Sequence, residues 1–154
     1  TIASPSTSTT TAVDFDGDTA SKRAEGTPFA TSAPFEGVRF AAREGFTRVV
    51  FDFAGSDVPW WSAEYVPGPD FEGSAGTITV EGDAFLRVTV SGDADSNDSG
   101  PDSFDVGSPV LTQIVLVDEV DGIGDWVIGV DGGERPFRVG TLLDPVTIYV
   151  DGRG

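Results

Sequence analysis

The sequence contains no cysteine, no histidine and no methionine. Without cysteine there are no disulfide bonds, thiol nucleophiles or thiolate metal sites, and without histidine there is no histidine-dependent catalytic triad. Basic residues are also scarce, because nine Lys and Arg stand against 26 Asp and Glu, for a formal net charge of -17. A field of that sign repels phosphate backbones, so we expect no nucleic-acid partner.

Long apolar runs are missing as well. No stretch approaches the about 18 consecutive apolar residues that a membrane span needs, so we expect no membrane insertion of this chain. The 154 residues, 38% of them hydrophobic, nevertheless suffice for one domain with an ordinary core. Because the chain starts at Thr1, we expect that a removed upstream segment carried any signal peptide or lipid anchor.

The first part of the chain has a composition unlike the rest. Residues 1–12 are almost all Thr, Ser, Ala and Pro, which offer too few apolar side chains to offset the entropy of ordering them. Residues 13–35 show little periodicity and contain two Pro-Phe steps. We therefore predict a linker and extended lead-in over residues 1–35 and a folded domain over residues 36–154.

From residue 36 onward, apolar and polar residues alternate in short segments bounded by glycine and proline. This period of two predicts about eight or nine strands, and no segment has a helical stripe. The expected fold is all-β, a sandwich of two mainly antiparallel sheets. A hairpin is expected at Glu81-Gly82-Asp83 and a long solvated loop over residues 93–105. The predicted interior comprises Val49, Phe51, Phe53, Leu86, Val88, Val115, Val117, Trp126, Ile128 and Ile148.

Aromatic residues are the first candidate site. Adjacent Trp60 and Trp61 must point to opposite faces of an extended segment. Trp61 shares its face with Ala63 and Tyr65 and is expected in the core, which leaves Trp60 exposed. An exposed indole suits stacking on a sugar ring or packing against a partner, so Trp60, Trp61 and Tyr65 are candidate ligand-binding residues. The alternative is that the N-terminal segment covers Trp60.

Acidic residues offer two further hypotheses. Asp14, Asp16, Asp18 and Glu25 follow the ligand spacing of a calcium loop, although Thr19 stands where such a loop has glycine, and a solvated acidic segment is the alternative. Two carboxylates could also serve a small glycan-active hydrolase. No motif distinguishes the candidates Glu64, Glu81, Glu119 and Glu134 from ordinary surface charges. We therefore expect no catalytic residue, no metal site and no cofactor. Arg48 and Asp52, four residues apart on one strand face, are expected to form a surface ion pair.

Several segments, in order, resemble the AMIN-like domain of actinobacterial secreted proteins and lipoproteins. The resemblance runs from about Phe35 to Asp151, most of the chain. It is carried by residues 45–53 (GFTRVVFDF), 58–61 (VPWW), 64–66 (EYV), 82–90 (GDAFLRVTV), 135–139 (RPFRV) and 143–145 (LDP).

The resemblance implies a β-sandwich related to the AMIN domain of periplasmic amidases and secretins. It also implies a secreted or surface-tethered, non-catalytic domain that binds cell-wall glycan, peptidoglycan in particular, or an envelope protein. Trp60 stands where many relatives have a small residue, so an aromatic ligand platform there would be particular to this chain. A spacer between a lipid anchor and the wall, and a calcium-stabilised adhesion module, remain alternatives.

Overall fold

The computed structural model describes residues 17–24, 35–53, 59–73, 76–91, 103–120, 123–143 and 146–153. These residues form twelve strands and no helix, which confirms the all-β prediction. Three strands are additional to the predicted segments, at residues 22–23, 70–73 and 103–105. They are two to four residues long, too short to show an alternation in the sequence.

The larger sheet has six antiparallel strands, in the order β1-β4-β7-β10-β9-β8. Its strands are β1 (Lys22–Arg23), β4 (Trp61–Val66), β7 (Ala84–Val90), β8 (Ser103–Asp105), β9 (Leu111–Val120) and β10 (Ile123–Val130). Strands β9 and β10 pair antiparallel, with Ile123 opposite Val120.

The second sheet has four antiparallel strands, in the order β11-β12-β3-β2. Its strands are β2 (Phe35–Arg43), β3 (Phe46–Phe53), β11 (Phe137–Leu142) and β12 (Thr147–Arg153). Buried and half-buried residues alternate along the whole of β3, as its sequence predicts. One face of this sheet therefore packs on the larger sheet, and its other face points outward.

The main core lies between the two sheets. Phe51 of β3 packs against Trp126 of β10, with ring centroids 5.7 Å apart. All ten residues predicted for the interior are buried, so that prediction is confirmed. Val115 and Val117, however, belong to a second cluster on the outward side of the larger sheet.

A separate hairpin covers that second cluster. It consists of β5 (Asp70–Gly73) and β6 (Gly76–Thr79). Phe71 of the hairpin packs edge-on against Phe85 of β7, with centroids 5.8 Å apart. Gly73 lies so close to the Val117 carbonyl that any Cβ there would collide with it, which allows the hairpin to lie flat on the sheet.

Two sequence-based predictions about this region are wrong. The segment at Glu81-Gly82-Asp83 does not join a hairpin, because β6 pairs with β5 while β7 pairs with β4 and β10. The predicted loop over residues 93–105 also ends in a strand, since β8 pairs with β9. Phe104 anchors β8 by packing between Phe40 and Trp126, at centroid distances of 6.1 and 6.5 Å. The rest of that loop lies outside the described residues.

Part of the predicted lead-in joins the larger sheet. Lys22 and Arg23 of β1 pair with Ala63 and Ser62 of β4. The backbone of Asp18 exchanges two hydrogen bonds with Phe137, the first residue of β11. The predicted linker over residues 1–12 lies outside the described residues, and the domain boundary at residue 36 stays a prediction.

Candidate functional site

The structure corrects the role predicted for one of the two adjacent tryptophans. Trp60 is only 6% exposed, and its backbone is fixed by hydrogen bonds to Ser91, at 2.8 and 2.9 Å. The guanidinium of Arg23 in β1 lies 5.9 Å from the centroid of the Trp60 ring. The prediction that Trp60 is exposed is therefore wrong, because a strand from the lead-in runs beside β4 and contributes to its cover. Its role in ligand binding stays a prediction.

Trp61 and Tyr65 occupy the inward face of β4. Both are partly buried and pack against the main core. The Tyr65 ring lies edge-on to Phe137, with centroids 5.6 Å apart. Its hydroxyl donates to the Arg135 carbonyl at 2.6 Å and accepts from the Arg135 backbone N–H at 2.9 Å. These contacts make Tyr65 a link between the two sheets, and they leave its predicted part in ligand binding untested.

Tyr65→Phe is expected to lower the free energy of unfolding by about 1 to 2 kcal/mol, because the backbone N–H and carbonyl of Arg135 both lose their partner. Burial of the ring raises the pKa of Tyr65 above its ordinary value of 10.0. The folded state therefore holds the phenolic proton more tightly than the unfolded state does, so this contribution to stability is complete below pH 10.0 and is lost as the pH rises further. Urea unfolding of both proteins at several pH values tests this, since the phenylalanine variant should lose less stability above pH 10.0. Equal losses of stability in the two proteins over that pH range would contradict the expectation.

The predicted calcium ligands are not brought together in the described part of the chain. Asp14, Asp16 and Glu25 lie outside it, and the Asp18 carboxylate accepts from Lys22 Nζ at 2.6 Å. Among the described residues no group of three or more Asp or Glu side chains could hold a metal ion. Of the candidate catalytic carboxylates, Glu64, Glu81 and Glu134 are all exposed.

A different surface collects the basic residues. Strand register places five arginines on the outward face of the four-stranded sheet. They are Arg39, Arg43, Arg48, Arg138 and Arg153, five of the nine basic residues of the whole chain. Only Asp52 and Asp151 supply acidic side chains at the paired outward positions between them. We call this surface the arginine face, and its charge is opposite in sign to that of the protein.

A buried carboxylate organises one half of the arginine face. Asp151 is 0% exposed and accepts two hydrogen bonds from Arg48, from Nε at 2.7 Å and from Nη2 at 2.9 Å. Arg138 Nε donates a third at 2.8 Å. The hydrogen bonds of Arg48 to Asp151 raise the pKa of Arg48 above its ordinary value. Both guanidiniums are thereby held in fixed orientations across three adjacent strands.

Aromatic rings lie between these arginines. The guanidinium of Arg48 lies 4.1 Å from the centroid of the Tyr149 ring, within the range of a cation–π contact. Tyr149 in turn lies across Gly140 on the neighbouring strand, where any Cβ would collide with the phenol ring. Glycine at position 140 therefore lets the tyrosine lie flat on the sheet.

The other half of the arginine face is less fully paired. Arg39 donates to both carboxylate oxygens of Asp52, at 2.6 and 2.9 Å. The predicted pair between Arg48 and Asp52 is therefore wrong, since each has a partner on an adjacent strand. Residues four apart on one strand are separated by about 13 Å, whereas neighbouring strands lie about 4.8 Å apart. Arg43 has no side-chain partner among the described residues.

A shallow cleft of about 300 Å³ lies at the centre of this half. Its lining includes Arg39 and Arg43 from β2, Arg48 and Val50 from β3, Thr147 and Tyr149 from β12, and Leu142 and Leu143 beside them. The two leucines are 51% and 64% exposed. Thr147 is only 4% exposed, and its hydroxyl has no hydrogen-bond partner within the described structure. The cleft thus offers guanidinium donors and apolar walls, and the buried hydroxyl of Thr147 adjoins it.

Sequence reasoning missed the arginine face, although one signal was available. Arg39 and Arg43 fall on the polar side of one alternating segment, and Arg48 falls on the polar side of the next. Their convergence depends on which strands pair, and Arg48 and Asp151 are 103 residues apart in the chain. The alternation indicates an outward direction for each arginine but not its neighbours.

The architecture and this surface define a β-sandwich domain with an arginine-rich outward face. The chain belongs to the AMIN-like domain family, since the model of that family matches residues 33–152. AMIN-like domains are generally non-catalytic binding domains and occur in extracytoplasmic proteins. Searches for similar curated proteins and for similar solved structures found no significant match. No helix in the described residues is long and apolar enough to cross a membrane.

Proposed function

We propose that this domain is a non-catalytic, extracytoplasmic module that binds peptidoglycan through the arginine face. The observation that carries the proposal is the concentration of five of nine basic residues on one sheet face of a chain with net charge -17. Arg48 and Arg138 stabilise the fold through buried Asp151, but the exposed pair of Arg39 with Asp52 contributes about 1 kcal/mol or less, so stability does not account for the whole arrangement. The arrangement does provide a local positive field for an anionic partner.

The chemistry of the face suits a wall polymer. Guanidinium groups match carboxylates with paired hydrogen bonds, and peptidoglycan carries carboxylates on its peptide stems. Membership of the AMIN-like family supports an envelope ligand. An envelope protein with an acidic surface is the alternative partner.

Co-sedimentation of the full chain with insoluble peptidoglycan tests this proposal. The variant is the double substitution Arg39→Gln/Arg43→Gln, and the matched control is Arg87→Gln. Arg87 lies on the other sheet, in an ion pair with Asp125 at 2.6 Å. We expect the double variant to lose at least about tenfold in affinity per arginine, since hydrogen bonds to charged groups contribute about 1.5 to 3 kcal/mol each. The control should bind like the parent.

Salt provides a second readout. Binding of the parent should weaken as the ionic strength rises above about 0.1 M, where the Debye length falls below about 10 Å. If the parent fails to sediment with peptidoglycan at any salt concentration, the spacer alternative replaces the proposal. If the double variant binds as well as Arg87→Gln, the arginine face is not the binding surface.

A further inference from the structure

The starting observation is the unpartnered hydroxyl of Thr147 in the cleft of the arginine face. Buried polar groups without a partner are uncommon in folded proteins and cost about 1 to 3 kcal/mol. Valine has the same branched shape and would fill the same space without that cost. The hydroxyl is therefore not needed for packing, and Thr147 lines a cleft that also holds three guanidinium groups.

From this cleft we infer that the domain recognises one singly charged carboxylate with an apolar group beside it, an inference that rests on the proposed function. The carboxylate would lie on Arg43, the Thr147 hydroxyl would meet a neighbouring polar group, and the apolar group would contact Leu142 and Leu143. Peptidoglycan offers this chemistry from two sources, namely an ether-linked carboxylate on its sugar and the terminal carboxylate of an alanyl peptide.

The ion pairs around the cleft leave one guanidinium for a carboxylate. Arg48 is engaged by Asp151 and Arg39 by Asp52, each through two hydrogen bonds. Of the three arginines that line the cleft, only Arg43 makes no side-chain hydrogen bond within the described residues. Arg138 also pairs with Asp151, so four guanidiniums stand against two carboxylates, and Arg43 is the one left to bind the carboxylate of a ligand.

The apolar walls restrict the ligand further. The cleft of about 300 Å³ has room for one sugar unit or one peptide end, and an adjoining depression of about 410 Å³ shares Arg39, Arg43, Arg48 and Val50 with it. Its floor is Val50, and its rim includes two exposed leucines. A bare anion would leave this apolar surface uncovered, whereas a methyl group next to the carboxylate would cover part of it.

NMR titration of the isotope-labelled full chain tests the inference with four defined probes. N-acetylmuramic acid and D-alanyl-D-alanine carry the two kinds of carboxylate. N-acetylglucosamine and the amide of D-alanyl-D-alanine are their matched controls without it. We expect one of the two carboxylates to shift the backbone amides of Val50 and Thr147, and its own control to leave them unchanged. Whichever carboxylate binds identifies the source.

Variants separate this inference from the proposed function. Arg43→Gln should weaken binding of the active probe at least about tenfold, and Thr147→Val about two- to tenfold. Thr147→Ser should retain binding because it keeps the hydroxyl. A thermal melt should show Thr147→Val at least as stable as the parent, which a structural role for the hydroxyl would not allow. If Thr147→Val fails to fold, the binding of the active probe to Arg43→Gln and Thr147→Ser still tests the inference.

Two outcomes would overturn the inference while leaving the proposed function intact. In one, the parent sediments with peptidoglycan but responds to neither carboxylate, or equally to a carboxylate and its control. In the other, inorganic phosphate binds more tightly than both carboxylates. Failure of the parent to sediment with peptidoglycan would overturn the proposed function as well.

Discussion

Trp60→Ala is expected to lower the free energy of unfolding by about 3 to 5 kcal/mol, the usual cost of removing a buried large aromatic side chain. Trp60 is 6% exposed where the chain enters β4, and Arg23 lies against its ring. A loss of that size is a large part of the stability of an ordinary domain. This variant should therefore fail as a folded protein before its binding can be interpreted.

Chemical denaturation of Trp60→Ala and Trp61→Ala tests the expectation. Trp61 is only partly buried, so its truncation should cost clearly less. The Trp60 indole N–H has no partner within the described structure, so Trp60→Phe should lose packing but no hydrogen bond. A Trp61→Ala variant less stable than Trp60→Ala would contradict the burial described for this pair. Since Trp60→Phe keeps most of the ring, it should also bind peptidoglycan like the parent, unless Trp60 itself contacts the ligand.

The second large effect is expected at the buried carboxylate of the arginine face. Arg48→Met should lower the free energy of unfolding by about 3 kcal/mol, because it leaves Asp151 buried with only one arginine. The cost comes more from leaving the Asp151 carboxylate buried with too few partners than from losing its attraction to Arg48. Arg48→Met/Asp151→Leu should therefore recover much of the loss.

The matched control for Arg48→Met is Arg39→Met on the same face. Arg39 is mostly exposed in its pair with Asp52, so its loss should cost no more than about 1 kcal/mol. Urea unfolding of the three variants provides the comparison. Equal losses for Arg48→Met and Arg39→Met would show that Asp151 reaches solvent, contrary to the structure.

Much of the fold could be predicted from local patterns. Alternation along residues 46–53 predicts a strand with one buried face, and the structure has that strand as β3. The predicted core, the all-β class and the two-sheet arrangement follow from the same periodicity. Family membership was also predictable, since short segments carry it and the family model matches nearly the whole chain.

The pairing of the short strands and the cover of Trp60 could not be predicted, because they depend on contacts between distant parts of the chain. No pattern in a two-residue strand shows that Lys22 and Arg23 pair with β4 and bring cover to Trp60. Likewise, the short spacing between β6 and β7 favours a hairpin in the sequence. In the structure Val80 belongs to the second cluster and Ile78 packs against it, which places β6 in another layer. Tertiary burial overrides local turn signals in such cases.

The candidate site was hidden for the same reason. Arg48 has its acidic partner on β12, and Arg39 has its partner across the β2–β3 pair. The orphaned hydroxyl of Thr147 is a property of its three-dimensional surroundings alone. The sequence instead draws attention to Trp60 and Trp61, whose residue type suggests a sugar platform but whose positions lie in or against the core.

The most direct test of the arginine face is an NMR map of the isotope-labelled full chain with soluble peptidoglycan fragments. We expect the largest shift changes on backbone amides of the outward face of the four-stranded sheet, at Arg43, Val50, Thr147 and Tyr149. Changes concentrated on residues 60–65, with that face unaffected, would contradict it.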